Sequence, residues 1–272
     1  MIKTARSCFA LLLGAFLLTG CAGSNQIQST SPSRTVYADS DLIEWVDHLI
    51  EYEDGRLRVG TMHDDDQIYV AIKTTNRGLI QSIMAGGLTL WFNNQGDESK
   101  GFGLKYPLGI RDVSEPGSGR GPASDRGGTD QARNDLLNKT QTEMDIIFEE
   151  GKPIRRNIEA NGAFKASSSY DFGALSMELI IPRDAASGSD FFVAVPTDGT
   201  WGLGIETMDM SGLRGQAGQA GGGRGGRGGG RGGRGGGRGG GRGGAGGGAG
   251  PNAGGLSPIN LWIQVSISPD LN

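Results

Sequence analysis

Residues 88–107 read LTLWFNNQGDESKGFGLKYP, and the alternation in this stretch decides the fold. In its first half Leu88, Leu90 and Phe92 fall on one face, and Thr89, Trp91 and Asn93 on the other. In its second half Phe102, Leu104 and Tyr106 share a face, alternating with Gly101, Gly103 and Lys105. A period of two, carried by aliphatic and aromatic residues and broken by Gln95, Gly96 and Asp97, predicts strand, turn, strand. Trp91 alternates away from the face that makes the core. An indole in that position is either a platform for a ligand or packing beneath a loop.

The same pattern extends outward. Leu57, Val59 and Thr61 alternate, the acidic turn 64–66 follows, and residues 68–73 alternate again, which predicts a hairpin. Leu79, Ile80, Ile83 and Met84 have helical spacing, stopped by Gly86 and Gly87. Residues 41–50 mix both spacings, so a short helix and an irregular strand are both open. Residues 112–130 read as a long loop and 131–139 as a short helix. Further strands are expected over 144–148, 164–170, 175–181, 191–195, 201–206 and 259–267. Many short strands with turns between them and little helix predict an all-β chain, a single antiparallel β-sandwich with short helices.

The N-terminus has a different character. Lys3 and Arg6 precede an apolar run over 8–18 that is too short to span a bilayer. Leu18, Thr19, Gly20 and Cys21 then resemble the lipobox of bacterial lipoproteins. That resemblance implies removal of residues 1–20 as a signal peptide, and a diacylglycerol thioether and N-acyl chain on Cys21. Ala22, rather than Asp, follows the cysteine, which in the Gram-negative sorting pattern implies the outer membrane. With Cys8 removed and Cys21 acylated, no cysteine is left to form a disulfide. Residues 21–35, rich in Ser, Thr, Gln and Asn, are expected to be a flexible tether, with the folded domain over 36–213 plus 256–272.

Residues 214–255 are mostly Gly, with seven Arg. Such a segment cannot bury enough surface to offset its ordering entropy, so a disordered insertion before the last strand is expected. The whole chain carries a net charge of −4, and the seven arginines of the insertion carry +7, leaving −11 on the rest. An acidic domain with a basic loop results. Arg/Gly tracts resemble RNA-binding segments, but a lipid-anchored envelope protein meets little nucleic acid. A solvated spacer, or contact with an anionic envelope polymer, fits the N-terminus better.

Few residues suggest chemistry. His48 and His63 are the only histidines, and no nucleophile elbow, zinc-protease helix or phosphate loop is present, so no enzyme is expected. Asp64, Asp65 and Asp66 offer hard oxygen ligands but lack the spacing of a calcium loop, so no metal and no cofactor is expected. Among Trp45, Trp91, Trp201 and Trp262, Trp91 has the polar strand partners Thr89 and Asn93. Trp91 and Asn93 are therefore the expected ligand-binding residues. Trp262 alternates away from Leu261 and Ile263, but in a strand expected to be buried on both faces this does not expose it.

Several of these stretches together resemble the carbohydrate-binding module family 9-like domains of the wider DOMON-like β-sandwich group. They are Trp45, the strand 57–61, the acidic turn with 68–71, residues 87–93 with 102–107, then 170–182 and 202–206. The resemblance implies a β-sandwich and sugar held between aromatic side chains. Haem-binding relatives in that group use Met and His ligands. Met62 and His63 supply those types, but as neighbours on a strand they point to opposite faces. The expected protein is an envelope lipoprotein with a non-catalytic domain for glycan. The alternatives are an envelope scaffold or protein-interaction module without a small ligand, and a haem-binding electron-transfer domain.

Overall fold

The computed structural model describes residues 25–114, 138–148, 152–160, 162, 164–183, 191–196, 199–209 and 258–267. In chain order its elements are β1 (Gln26–Ser29), a 3-10 turn (Leu42–Trp45), β2 (Ile50–Tyr52), β3 (Leu57–His63), β4 (Gln67–Thr74), α1 (Arg77–Gly86), β5 (Leu88–Asn93) and β6 (Phe102–Lys105). After these come α2 (Ile110–Val113), β7 (Glu143–Ile147), β8 (Ile154–Asn157), β9 (Lys165–Asp171), β10 (Ala174–Pro182), β11 (Gly199–Thr207) and β12 (Asn260–Ile267).

The strands form two sheets, ordered β1-β12-β11-β5-β6-β7-β8 and β2-β3-β4-β10-β9. Every pairing is antiparallel except β1 with β12. The sheets face each other as a β-sandwich. Leu88, Leu90, Phe92, Leu104, Leu203 and Ile263 of the first sheet pack in one core with Val59, Val70, Ile72, Met177 and Ile181 of the second. Alternation selects these residues, because successive side chains of a strand point to opposite faces and only one face meets the other sheet. Trp201 is buried in this core and stacks on Phe92, with ring centroids 5.9 Å apart. α1 closes one end of the sandwich. Asn76 caps it by accepting from the Leu79 N–H at 3.0 Å, and Gly87, at φ 77°, turns the chain directly into β5.

The N-terminal segment corrects the expected tether. Gln26–Ser29 is not a free linker but an edge strand, with Ile27 and Ser29 buried. Thr30 then bridges to Met62, so the segment runs from one sheet to the other. The Ser29 hydroxyl and His63 Nδ1 lie 2.9 Å apart, and the Tyr52 hydroxyl donates to the Gln26 carbonyl at 3.1 Å. A polar composition concealed this strand, because an edge strand needs backbone pairing and only one buried face. The folded domain therefore includes Gln26–Ser29 and Thr30, which a boundary at residue 36 leaves out.

Residues 36–49 cross the outer face of the second sheet as a strap over a second apolar cluster. There Val36, Leu42 and Trp45 pack on Met62, Tyr69, Ala71 and Ile180. Glu178 fastens the strap. Its carboxylate accepts from Trp45 Nε1 at 2.7 Å and from the backbone N–H groups of Ser40 and Asp39 at 2.6 and 3.1 Å. Burial pushes the Glu178 carboxyl up to about 7, although those three donors pull the other way.

Three other expectations change. Residues 191–196 form no strand. Val193 is buried and donates to the Pro182 carbonyl, but the ladder goes no further. β8 is an added edge strand with little apolar content, so alternation did not reveal it. The mixed stretch 41–50 resolves into the 3-10 turn, with β2 beginning at Ile50. The Arg/Gly insertion and most of the loop and helix expected over 112–139 lie outside the described residues.

Candidate functional site

The outer face of the first sheet carries the site. Strand register fixes its rows. Gly204 pairs with Trp262 on one side and Trp91 on the other, and Trp91 pairs with Gly103. Side chains at paired positions share a face, so Trp262 and Trp91 sit in one row with Gly204 between them. Two strand spacings separate them, about 10 Å. Both indoles lie against glycine. A Cβ at Gly204 would stand 2.8 Å from Trp262 Cη2, and one at Gly103 would stand 2.7 Å from Trp91 Cζ3. The two glycines thus let large flat rings lie down on the sheet instead of standing away from it.

The row above is charged. Asn260, Glu206, Thr89 and Lys105 are consecutive partners across β12, β11, β5 and β6. Glu206 Oε2 accepts from Trp91 Nε1 at 2.8 Å and from Lys100 Nζ at 2.6 Å. Burial pushes the Glu206 carboxyl up, but Lys100 and the indole N–H outweigh it and hold the group below its usual range. The Lys100 ammonium also lies 5.0 Å from the centre of the Trp91 ring. Trp91 is therefore pinned on three sides, by Gly103, Glu206 and a cation over its outward face.

The row below is overhung by the β5–β6 loop. A Cβ at Gly202 would come within 2.5 Å of the Asp97 carbonyl, so the loop rests directly on bare backbone. Asn93 maintains this conformation. It is buried, accepts from the Gln95 N–H at 2.6 Å, and donates to the Ser99 carbonyl at 3.2 Å and to the Ser99 hydroxyl. The polar atoms of Asn93 thus serve the loop. Asp97 accepts from the backbone N–H and hydroxyl of Ser99, and these bonds hold its carboxyl below the usual range.

Between the loop and Trp262 lies a cleft of about 260 Å3. Asn25, Gly96, Asp97, Glu98, Trp262 and Gln264 line it. Gln264 is oriented by Gln26, which donates to it at 3.0 Å, and Asn25 donates to the Trp262 carbonyl at 3.2 Å. The cleft is just below the roughly 300–1,000 Å3 of typical small-molecule sites. An open cleft of this size suits one ring of a longer chain. Its chemistry is a flat aromatic wall facing carboxylates and amides.

Trp262 is a site residue that the pattern of its own strand does not single out. β12 was expected to be buried on both faces, yet Asn260, Trp262, Gln264 and Ser266 lie on an uncovered face and only Leu261, Ile263, Val265 and Ile267 are buried. The polar residues at 260, 264 and 266 were the available signal. Trp91 lies on the outer face as its alternation indicated, but beneath Lys100. Trp45 and Trp201 are buried.

The other candidate groups lie apart from this face. Asp64 is occupied, accepting from the Tyr69 hydroxyl at 2.5 Å and from the N–H groups of Asp66 and Gln67 at 2.9 and 2.7 Å. Among the described residues no three His, Cys, Asp or Glu side chains cluster as a metal site would need. Met62 packs beneath the strap, whereas His63 meets Ser29 at the side of the sandwich, so the pair does not converge.

No protein-family model and no curated protein matches the chain. Among solved structures, the chain is similar to a carbohydrate-binding module of family 9 from Caldicellulosiruptor kristjanssonii in complex with glucose. The TM-score is 0.36 at 9% identity, over 68% of this chain and 78% of that one. The same kind of module in complex with cellotriose gives a TM-score of 0.32 at 9% identity, over 67% and 76%.

Proposed function

We propose that the outer face of the first sheet binds glycan without catalysis, with Trp262 as the principal platform. The observation that carries this reading is the placement of Trp262. It lies flat over Gly204, with its outward side forming the wall of the cleft that Asp97, Glu98, Asn25 and Gln264 edge. The C–H face of a pyranose stacks on an indole, and carboxylates and amides at the rim bond its hydroxyls. Trp91 extends the surface by a second ring about 10 Å away. A glycan longer than one unit reaches it once Lys100 swings aside. A glycan array with the purified protein tests the reading. Saturable binding that Trp262→Ala removes supports it. A blank array, or binding indifferent to that substitution, overturns it.

The domain works in this reading as an envelope lipoprotein, held on a bilayer by acyl chains on Cys21 and directed to the outer membrane. Leu18, Thr19, Gly20 and Cys21 support that anchoring, and the arginines of residues 214–255 supply a polycation for an anionic envelope polymer. Cys21→Ser should release the protein from the membrane fraction and remove the acyl mass. Retention with unchanged mass defeats the anchoring.

A further inference from the structure

We infer that the end of the sandwich closed by α1 and the β9–β10 turn sits in the bilayer interface, and so fixes how the domain stands on its membrane. The inference rests on the anchoring proposed above, and the apolar groups it concerns are separate from those lining the glycan cleft, although Asn25, where the leash begins, lines that cleft.

The first observation is a turn built against local preference. Asp171 and Ala174 pair across a two-residue turn in which Phe172 and Gly173 have φ of 47° and 79°. Both central residues are left-handed, a geometry that favours Asn or Gly and penalises a bulky side chain. Yet the first position is phenylalanine, and it is 99% exposed. Neither folding nor solubility is served by an aromatic there. Around it the same end exposes Tyr170, Met84 and Met208. Between α1 and the turn lies a recess of about 220 Å3 lined by Ile83, Met84, Pro107, Ile110, Tyr170 and Leu175. Met84 and Tyr170 share this recess, and Phe172 follows two residues after Tyr170 in the adjoining turn.

The second observation is the direction and length of the chain leading in. β1 runs parallel to β12, so it enters the sheet from the end where β12 begins, beside Thr207 and α1. The Asn25 carbonyl bonds the Gln264 N–H, four residues inside that end of β12. Only three residues lie between Asn25 and Cys21, four residue steps in all. Whatever path they take, they span at most about 14 Å. Four residues of β12 measure about 14 Å as well. An acyl-bearing Cys21 therefore reaches no farther than the end of the sandwich itself. The domain cannot be held away from a bilayer on such a leash; it must rest on it, and the apolar end lies on the side from which the leash comes.

The third observation is charge. Arg77 opens α1, Arg111 lies in α2 and Lys139 lies next to Thr140 at the recess, and all three are exposed. Asp171, the acid in the turn, directs its carboxylate to the Phe172 N–H at 2.9 Å. Exposed aromatic and thioether groups rimmed by cations match the interfacial layer of a membrane with anionic lipid.

Two arms test this. In the first, residues 21–272 carrying Cys21→Ser, and so without the apolar run 8–18 that would itself enter lipid, are mixed with vesicles of phosphatidylcholine and phosphatidylglycerol and sedimented. Binding should weaken with salt, and Phe172→Asn should lower the partition coefficient about tenfold or more, the scale of withdrawing one phenyl group from apolar surroundings. Because Asn suits the left-handed turn, the same variant should melt at an equal or higher temperature, which separates lost membrane contact from lost fold. In the second arm, the anchored protein carries Phe172→Cys labelled with an environment-sensitive dye, with Asp65→Cys at the opposite end as control. Dye at 172 should emit at shorter wavelength and be quenched by spin-labelled lipid, while dye at 65 should do neither. Equal vesicle binding by parent and Phe172→Asn overturns the inference. So does aqueous emission at 172 in protein whose mass confirms acylation, and so does a blue shift without lipid quenching, which would place a protein over this end. If the mass shows no acylation, the anchoring fails by itself, and the vesicle arm still decides whether this end binds lipid.

Discussion

Trp262→Ala gives the sharpest test of the site. The indole is half-buried, with its inner side on Gly204 and its outer side on the cleft. An aromatic side chain carries about 150–250 Å2, of which a half-buried one leaves on the order of 60 Å2 on its outward side. Covering that area with sugar C–H groups at about 25 cal/mol per Å2 is worth about 1.5 kcal/mol. The variant should therefore bind the strongest array glycan a little over tenfold more weakly by titration calorimetry, since about 1.4 kcal/mol is tenfold in Kd. Stability should fall by about 2 kcal/mol, because part of the inner contact is lost. Trp201→Ala is the contrast. That ring is 1% exposed and stacked on Phe92, so its removal should cost about 3–5 kcal/mol. Gly204→Ala approaches the same contact from below. Its Cβ would stand 2.8–3.0 Å from three atoms of Trp262, so the ring must tilt. The backbone contacts are untouched, so affinity should fall with little change in urea midpoint. Affinity within twofold of wild type in both Trp262→Ala and Gly204→Ala would refute the platform. A loss of stability in Trp262→Ala as large as in Trp201→Ala would show the ring to be core.

Three further outcomes follow from the same structure. Trp91→Ala should cost about 2 kcal/mol, because it removes the hydrogen bond to Glu206 and the contact with Lys100 together with partial burial; loss of less than about 0.5 kcal/mol in a urea melt would mean that the ring is not pinned. Glu178 has a folded pKa of about 7 against an ordinary 4.5, so between those values the folded state holds a proton that the unfolded state has released. Its contribution to stability is complete below about 4.5 and lost as pH rises through about 7, with a slope approaching −1.4 kcal/mol per pH unit. Glu178→Gln should remove that slope in denaturant melts between pH 5 and 8, and an identical slope in the variant would reject the assignment. Finally, replacing residues 215–255 by a short Gly/Ser linker should leave the melting temperature nearly unchanged, whereas truncation before Ile259 should unfold the domain, because β12 joins β1 to β11 and buries Leu261, Ile263 and Val265. Two equally stable proteins would show that β12 is not part of the cooperative unit.

The alternation in residues 88–107 determined by itself that β5 and β6 pair and which of their side chains enter the core. The hairpin of β3 and β4, the helix stopped at Gly86 and Gly87, and the apolar half of β12 were legible for the same reason. A period of two or of 3.6 is local, and hydrophobic burial acts on whichever face carries it. Alternation, however, gives only relative faces. It does not tell whether a second layer covers the other face, which is why Trp91 and Trp262 had equivalent patterns and yet only one of them faces an open cleft. That difference arises from Lys100 and from a loop resting on Gly202, the latter a contact between residues more than a hundred positions apart. Asn93 was legible as an outer-face residue but not as the residue that holds that loop. β1 was hidden because backbone pairing at a sheet edge requires almost nothing of the side chains, and Ile27 alone gave no period. Glu178 was hidden for the opposite reason. A carboxylate in an apolar strand is explained only by the three N–H groups that a distant strap brings to it, and their position is a property of the folded chain.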